Sequence, residues 1–398
     1  TYHIYVIGMV PTIHEERRHA PMFEFTPEQK SFAQAVRDFC AREVGTREQR
    51  AKYTADGPHS EELYRKMAEL GWAGIIVGEE YGGAGAGNVE LCIFLEEALR
   101  GLAPVGGIGP TFITAAAYEK FASEELKKEV LANVVAGDSL AIAMSEPEAG
   151  SDVANLSCKA EKVDGGWLIN GQKTWISNAA IASSILLIAR TERTDKKHEG
   201  ITQFHVPAGT PGLKIVPIET LGGREQNDLY FTDCFIPDEY VVGQVNQGWW
   251  QLMAGLNTER LILGAMQLGL AQRSFDDTLK FITERKQFGR PVGTFQALRH
   301  RMADHATEIE CTKLLVYNLA FKADANPTKM YPREASMVKL KATEVSKAMT
   351  IDGMQMMGGY GYTKEFDAEH LMRSAIISTV YGGTNEIQRD IIGKTYGL

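Results

Sequence analysis

The apolar spacing of this chain changes period twice, and those two changes limit its fold more than any single motif. Residues 26 to about 138 repeat their apolar positions at helical intervals. Over 139–247 the pattern breaks into short alternating or wholly apolar runs, such as Ser184 to Ala189 and Leu229 to Ile236, bounded by turn residues. From Gly248 helical spacing returns, over roughly 248–284, 292–323 and 328–358, with a shorter stretch near 385–396. A β-rich segment enclosed by two helical ones predicts an α+β multidomain chain. Its parts are an N-terminal α-helical domain over 22–138, a middle β domain of packed sheets over 139–247 and a C-terminal four-helix bundle over 248–398.

Local signals sharpen this outline. Thr26-Pro27-Glu28-Gln29 offers an N-cap, a proline at the first helical position and a Gln at the capping-box position. A helix is predicted from Ser60 to Gly71, with Leu63, Met67 and Leu70 on its apolar face. Gly82 to Gly87 reads as a plain connecting loop. Trp167 to Lys173 reads as a strand followed by a turn. Residues 1–21 look foreign to the rest, with a short strand at Tyr2 to Ile7 and a natural start expected near Met22. They lack the long apolar centre and cleavage site of a secretion signal.

A formal charge of -9 argues against nonspecific nucleic-acid binding. Cys40, Cys92, Cys158, Cys234 and Cys311 are scattered and odd in number, which fits reduced thiols and excludes a CxxC metal or redox motif. No apolar run approaches the ~20 residues of a membrane span. The chemistry therefore has to come from polar residues placed within helices and turns.

Five motifs carry it. They are Met144-Ser145-Glu146-Pro147-Glu148-Ala149-Gly150-Ser151-Asp152, Asn170-Gly171-Gln172-Lys173-Thr174-Trp175-Ile176-Ser177-Asn178, Glu284-Arg285-Lys286-Gln287-Phe288-Gly289-Arg290, Gln355-Met356-Met357-Gly358-Gly359-Tyr360-Gly361-Tyr362 and Gly383-Thr384-Asn385-Glu386-Ile387-Gln388-Arg389. Physically, the first is a small-residue turn whose N–H groups can approach a flavin or phosphate; an ordinary strand connection also explains it. Trp175 is equally a core aromatic, and Arg285 equally a solvated charge. Gly358 and Gly359 permit close backbone approach or cap a helix. Taken together, in this order and spacing, the motifs resemble the acyl-CoA dehydrogenase family from Met22 to Leu398.

That resemblance implies FAD and an acyl-CoA (or acyl-carrier protein) thioester. It places Met144, Ser145, Gly150, Ser151, Trp175, Ile176, Ser177, Thr384, Asn385 and Glu386 along the cofactor, with Ser151 also near the substrate. Glu386 could instead simply favour the positive end of the last helix. Phe288 is implied to contact the cofactor, and Arg285, Gln296, Gln355, Met356, Gly358 and Gly359 are implied to reach the FAD of a neighbouring subunit, hence a homotetramer or dimer of dimers. Substrate contacts are implied at Trp250, Asn257, Arg260, Tyr381, Gly382 and Gly383; for Trp250, core packing accounts for the residue equally well. Electrons would pass to an electron-transfer flavoprotein, in a bacterial cytoplasm or, in a eukaryote, the mitochondrial matrix.

Such an enzyme needs a carboxylate near the substrate Cα, in a site dry enough to raise its pKa. The family position that most often supplies this Glu is Gly382. An alternative lies on the stripe Leu252, Leu256, Glu259, Leu263, Met266, Leu270, whose steps of four and three put Glu259 on an apolar helix face. The pattern alone leaves a catalytic base and a buried structural carboxylate equally open. In isovaleryl- and long-chain-type members the base sits on this helix, and the C-terminal position is alanine or glycine. The resemblance thus assigns the base to Glu259 and leaves the Gly382 N–H to polarise the thioester carbonyl. A vacant side chain at Gly382 suggests room for a branched or bulky acyl group. An enoyl-CoA reductase, a noncatalytic flavin-binding homologue and a flavin oxidase or monooxygenase of the same fold are the alternatives.

Overall fold

The computed structural model describes residues 24–54 and 60–398, so the expectations for residues 1–21 and Met22 lie outside the described residues. Six helices come first: α1 (Pro27–Val44), α2 (Arg47–Tyr53), α3 (Glu61–Glu69), α4 (Asn88–Arg100), α5 (Ile108–Phe121) and α6 (Glu124–Val135). The capping box forms at α1, where the Gln29 N–H donates to Thr26 Oγ1 and the Thr26 N–H donates to Gln29 Oε1. Ser60 caps α3, and Leu63 and Met67 are buried as expected. Leu70 is not. It is the C-cap residue, where the helix has already ended, and it is 50% exposed.

Eight strands follow: β1 (Leu140–Ala143), β2 (Lys159–Val163), β3 (Gly166–Ser177), β4 (Ser184–Arg190), β5 (Ile201–Pro207), β6 (Leu213–Thr220), β7 (Gly223–Pro237) and β8 (Val241–Val242). They hydrogen-bond in the order β6-β7-β3-β2-β4-β5-β8, with β1 beside β4. The turn expected after Trp167 to Ile169 does not form, and β3 runs on to Ser177. Asn170 and Gly171 are instead accommodated as a bulge against β7, with Asn170 Oδ1 accepting from the Asp233 N–H at 2.9 Å.

β4 shows how the middle segment is held. Its alternate residues Ile185, Leu187 and Ala189 enter the core of the β layers, while Leu186 and Ile188 enter a second core with Tyr118, Leu126, Leu131 and Val134 of α5 and α6. A strand with period-two side chains and both faces covered reads as a continuous apolar run, as this one does.

The C-terminal part contains α7 (Gly248–Glu284), a small hairpin of β9 (Lys286–Gln287) and β10 (Arg290–Pro291), α8 (Gln296–Ala325), α9 (Pro332–Met357), α10 (Ala368–Ile376) and α11 (Asn385–Lys394). One hydrophobic core joins both helical segments: Phe39, Phe94 and Phe112 pack with Leu261, Ile262, Val316, Val338 and Met349.

The loop after β1 is fixed by a buried ion pair that the sequence did not announce. Lys173 Nζ lies 2.8 Å from Glu146 Oε1, with side chains 0% and 4% exposed. Glu146 also accepts from the Ser157 and Cys158 N–H groups, and Lys173 donates to the Met144 carbonyl. Burial alone would raise the Glu146 pKa, but the Lys173 charge and these hydrogen bonds outweigh it and hold the carboxyl below its ordinary range. Its contribution to stability is therefore complete above the ordinary carboxylate pKa and fades as pH falls through the depressed value. Glu146→Ala strands a buried ammonium and is expected to cost about 3–5 kcal/mol in denaturant unfolding at neutral pH. An unchanged midpoint would show that the pair does not hold the loop.

Candidate functional site

On α7 the line Leu252, Leu256, Glu259, Leu263, Met266, Leu270 is nearly but not wholly covered, and Glu259 itself is half-buried. The neighbouring face, with Leu261, Ile262, Ala265 and Leu268, is fully buried. The line is thus the wall of a cleft beside the core seam. The Glu259 carboxyl has no hydrogen bond or ion pair among the described residues, so the paired structural carboxylate is not what forms here. Burial raises its pKa, and Arg260 and Lys339 offset this only in part.

Gly382 lies against this carboxyl. A Cβ at Gly382 would stand 3.4 Å from Glu259 Oε1 and 2.4 Å from Leu263 Cδ1. Two positions far apart in sequence therefore serve one point in space. The turn has positive φ at Gly382 (61°) and Gly383 (76°). Its carbonyls are tied inward: Gln388 Nε2 donates to both Gly382 O and Gly383 O at 3.0 Å, and Lys339 Nζ donates to Gly383 O at 2.8 Å. Lys339 and Thr343 also donate to Asn385 Oδ1, each at 3.0 Å. The Gly382 N–H makes no hydrogen bond among the described residues and remains available as a donor. Burial pulls the Lys339 pKa down to about 8, against the opposing charges of Glu259 and Glu386. The preceding Tyr381 accepts from Gln267 Nε2 at 3.0 Å.

A second wall comes from the β layers. The Ser145 carbonyl accepts from the Thr174 N–H, and this joins the Met144–Ser151 loop to Trp175. Trp175 has φ 61° and is 59% exposed, which excludes a core role. Ser177 is half-buried, Gly150 and Ser151 are exposed, and no atom approaches within 4 Å of a Cβ at Gly150. Behind the turn lies an open cavity of about 560 Å³ lined by Lys347, Val380, Thr384, Asn385, Glu386 and Arg389 at the start of α11. An exposed aromatic, open glycine backbone and a helix N-terminus suit a planar ring system carrying a pyrophosphate, with Lys347 as the cation beside it and Arg389 paired to Glu344.

Several expected contacts have other duties. Ile176 is 2% exposed and belongs to the β core, so only its backbone faces outward. Asn385 is 4% exposed and anchors the glycine turn. Thr384 caps α11 with its hydroxyl, and the Glu386 carboxylate is held below its ordinary pKa by its own backbone N–H and by the Thr384 hydroxyl. Met356 packs into the helical core at 8% exposure because its side chain falls on the inner face of α9. Asn257 donates to Met330 Sδ at 3.4 Å, and Arg260 is buried with its Nε unpaired. Trp250 is 60% exposed, edge-on to His198, and is not core packing.

Arg285 stands over the Tyr360 ring, 5.3 Å from its centroid, beside the exposed Gln355, Gly358 and Gly359. Phe288, at the hairpin tip, is 92% exposed, and Gln296 opens α8 nearby. This surface is remote from Glu259. Arg285 follows it by 26 residues (285 − 259) along α7, roughly 39 Å at the helical rise. Lys339 and Gln267 do not stand out in the sequence, and Gln388 is visible there only as part of a motif, without a role, although a lysine amid small residues on a long helix is a signal worth following.

Gly382→Ala tests the turn. It forces a side chain to positive φ and against Leu263, and is expected to cost about 1–3 kcal/mol of unfolding free energy. Gly255→Ala, on α7 with open space around its Cβ position, is expected to stabilise by about 0.5–1 kcal/mol. Equal effects would remove the steric account of Gly382.

Comparison with known proteins identifies the family. Residues 26–138, 141–234 and 246–397 match the N-terminal, middle and C-terminal domains of acyl-CoA dehydrogenase. The chain is 34% identical over 376 residues to isovaleryl-CoA dehydrogenase, mitochondrial, of Solanum tuberosum, covering 93% of this chain and 90% of that protein. It is 33% identical over 376 residues to 3-(aryl)acrylate reductase of Clostridium sporogenes, covering 93% and 98%. The structure of acyl-CoA dehydrogenase from Geobacillus kaustophilus superposes with a TM-score of 0.89 at 31% identity, covering 94% of this chain and 99% of that one. The chain belongs to the acyl-CoA dehydrogenase family of FAD-dependent oxidoreductases.

Proposed function

We propose that the protein dehydrogenates an acyl-CoA thioester to the trans-2-enoyl-CoA, with Glu259 removing the α-proton and electrons passing to an electron-transfer flavoprotein. The observation that carries this reading is the Glu259 carboxyl, unpaired and within 3.4 Å of the Cβ position at Gly382. A partly buried carboxylate that no ion pair engages, with its pKa raised by burial, is basic enough to take a weakly acidic proton. The Gly382 N–H, which makes no hydrogen bond among the described residues, would polarise the thioester oxygen as the proton leaves. FAD, when bound, accepts the hydride from Cβ. Met144, Ser145, Trp175, Ser177 and the start of α11 would hold it.

The acyl group is a separate question. Leu263 Cδ1 already stands in the place of a side chain at Gly382. The glycine does not by itself make room for a branch, contrary to the expectation drawn from sequence. A short branched acyl group is supported instead by similarity to isovaleryl-CoA dehydrogenase. Similarity to 3-(aryl)acrylate reductase favours, as a second reading, turnover in the reducing direction. If the residues near Arg285 serve a flavin, as the resemblance implies, their distance from Glu259 along α7 supports an assembly in which they reach the cofactor of a neighbouring subunit. A homotetramer or dimer of dimers supplies the second set.

Glu259→Gln is expected to slow anaerobic flavin reduction by acyl-CoA about 10²–10⁴-fold while FAD stays bound. Near-normal reduction would sink Glu259 as base. Activity requires the ionised carboxylate, and burial raises its pKa, so the acid limb of the wild-type rate profile should lie above the ordinary carboxylate range. Lys339→Met removes a cation that favours ionisation and should move that limb to still higher pH. A limb at the ordinary value in both proteins would contradict a buried base. Enoyl-CoA reduction with a reduced donor, run beside oxidation, decides the direction.

A further inference from the structure

Proton abstraction leaves unused a second carboxyl, at Glu225 near the start of β7. Its backbone carbonyl accepts from the Asn178 N–H at 2.7 Å. Its carboxyl makes no hydrogen bond or ion pair among the described residues, and burial raises its pKa. Glu225 Oε1 lies 3.6 Å from where a Cβ would stand at Gly106, and the Asn178 amide nitrogen lies 3.0 Å from the Cβ position of Gly107. Asn178 is 5% exposed, and its Nδ2 has no partner.

These groups connect to the base by a short path. A Cβ at Gly109 would touch Met266 Sδ at 3.2 Å and Ile262 Cγ2 at 3.6 Å, so the start of α5 faces the stretch of α7 that follows Glu259 and Leu263. On the same stretch Gln267, 2% exposed, donates to Tyr381, the neighbour of Gly382, and its own Oε1 is unpaired. Burial chiefly raises the pKa of Tyr64 and Tyr381, and the Glu225 charge adds to both shifts. Three glycines in four residues keep the intervening space free of side chains.

We propose that Glu225, with Asn178 and Gln267, forms a polar subsite at the far end of the acyl cavity. It takes a hydrogen-bond donor, a hydroxyl or an ammonium, carried on the acyl group. The proposal rests on the dehydrogenase reading of the Glu259 site. Glu225 is half-buried while Asn178 and Gln267 are fully buried, and a purely hydrocarbon tail would cover the unpaired carboxyl and leave both amide groups unmatched, an arrangement that folded proteins avoid. A hydroxyl on the tail would donate to the Glu225 carboxyl and accept from Asn178 Nδ2, whereas an ammonium would donate to the Glu225 carboxyl and Gln267 Oε1 and leave Asn178 Nδ2 unmatched. A site built around such a bond discriminates strongly against the analogue that lacks it.

The test compares pentanoyl-, hexanoyl- and octanoyl-CoA with the ω-hydroxy and ω-amino derivative of each, on the FAD-loaded enzyme. Affinity is read by calorimetry and flavin reduction by anaerobic bleaching. At least one derivative should bind about tenfold or more tightly than its parent. That ratio should collapse in Glu225→Leu. In Glu225→Gln, it should persist for the hydroxyl and fall for the ammonium; this variant decides the matter if the leucine protein fails to retain FAD. Equal binding of derivative and parent throughout the series would overturn the subsite, as would a preference that survives Glu225→Leu. Binding without flavin reduction by any thioester would instead overturn the dehydrogenase reading and leave the affinity ratio to judge Glu225 alone.

Discussion

The close seating of α7 between α9 and α4 is the contact on which the rest of the structure depends. A Cβ at Gly264 would stand 2.3 Å from Val338 Cγ1, and one at Gly269 would stand 2.2 Å from the backbone carbonyl of Glu96. Any larger residue would push the helix away from one neighbour or the other. This long helix packs against both helical segments and reaches the β layers, where Gln203 Nε2 donates to the Gly248 carbonyl. Glu259 is therefore carried on a helix that is braced closely on two sides just beyond it. A base that must meet a carbon-bound proton needs positioning of that quality.

The opposing turn is braced by a different device. Ser336, Lys339, Thr343, Ser346 and Thr350 recur on α9 at helical spacing, and each is at most 1% exposed. Lys339 and Thr343 use this buried polar line to grip Asn385, and Lys339 also grips Gly383. Hydrophobic packing fixes one side of the cleft and a polar network fixes the other. Such a network is geometrically demanding, because each unpaired member carries a desolvation cost.

The contrast explains what could be read from sequence. Glu259 stood out because a carboxylate interrupts an apolar stripe. Lys339 did not, because a polar line at helical spacing looks the same whether it meets water or another helix. The period changes marked the helical and β segments, since period two and period 3.6 are imposed by backbone geometry. They could not tell that Asn170-Gly171 would become a bulge, because the choice between turn and bulge depends on β7 and its Asp233, far along the chain. The space beside Gly382 was misjudged for a related reason: Leu263 fills it, and that contact exists only after folding. Single residues whose role is set by their own helix were legible. Those whose role is set by a partner distant in sequence were not.

The two-faced burial of β4 bears on how this chain could be divided. Cut at the sequence boundaries, the middle segment would keep one core and present Leu186, Ile188, Ile201 and Val242 to water as a contiguous apolar sheet face. The two helical pieces would each hold part of a core completed only by the other. Excised pieces of this kind are aggregation hazards more than modules. The three segments are units of sequence description; the unit of folding is the whole.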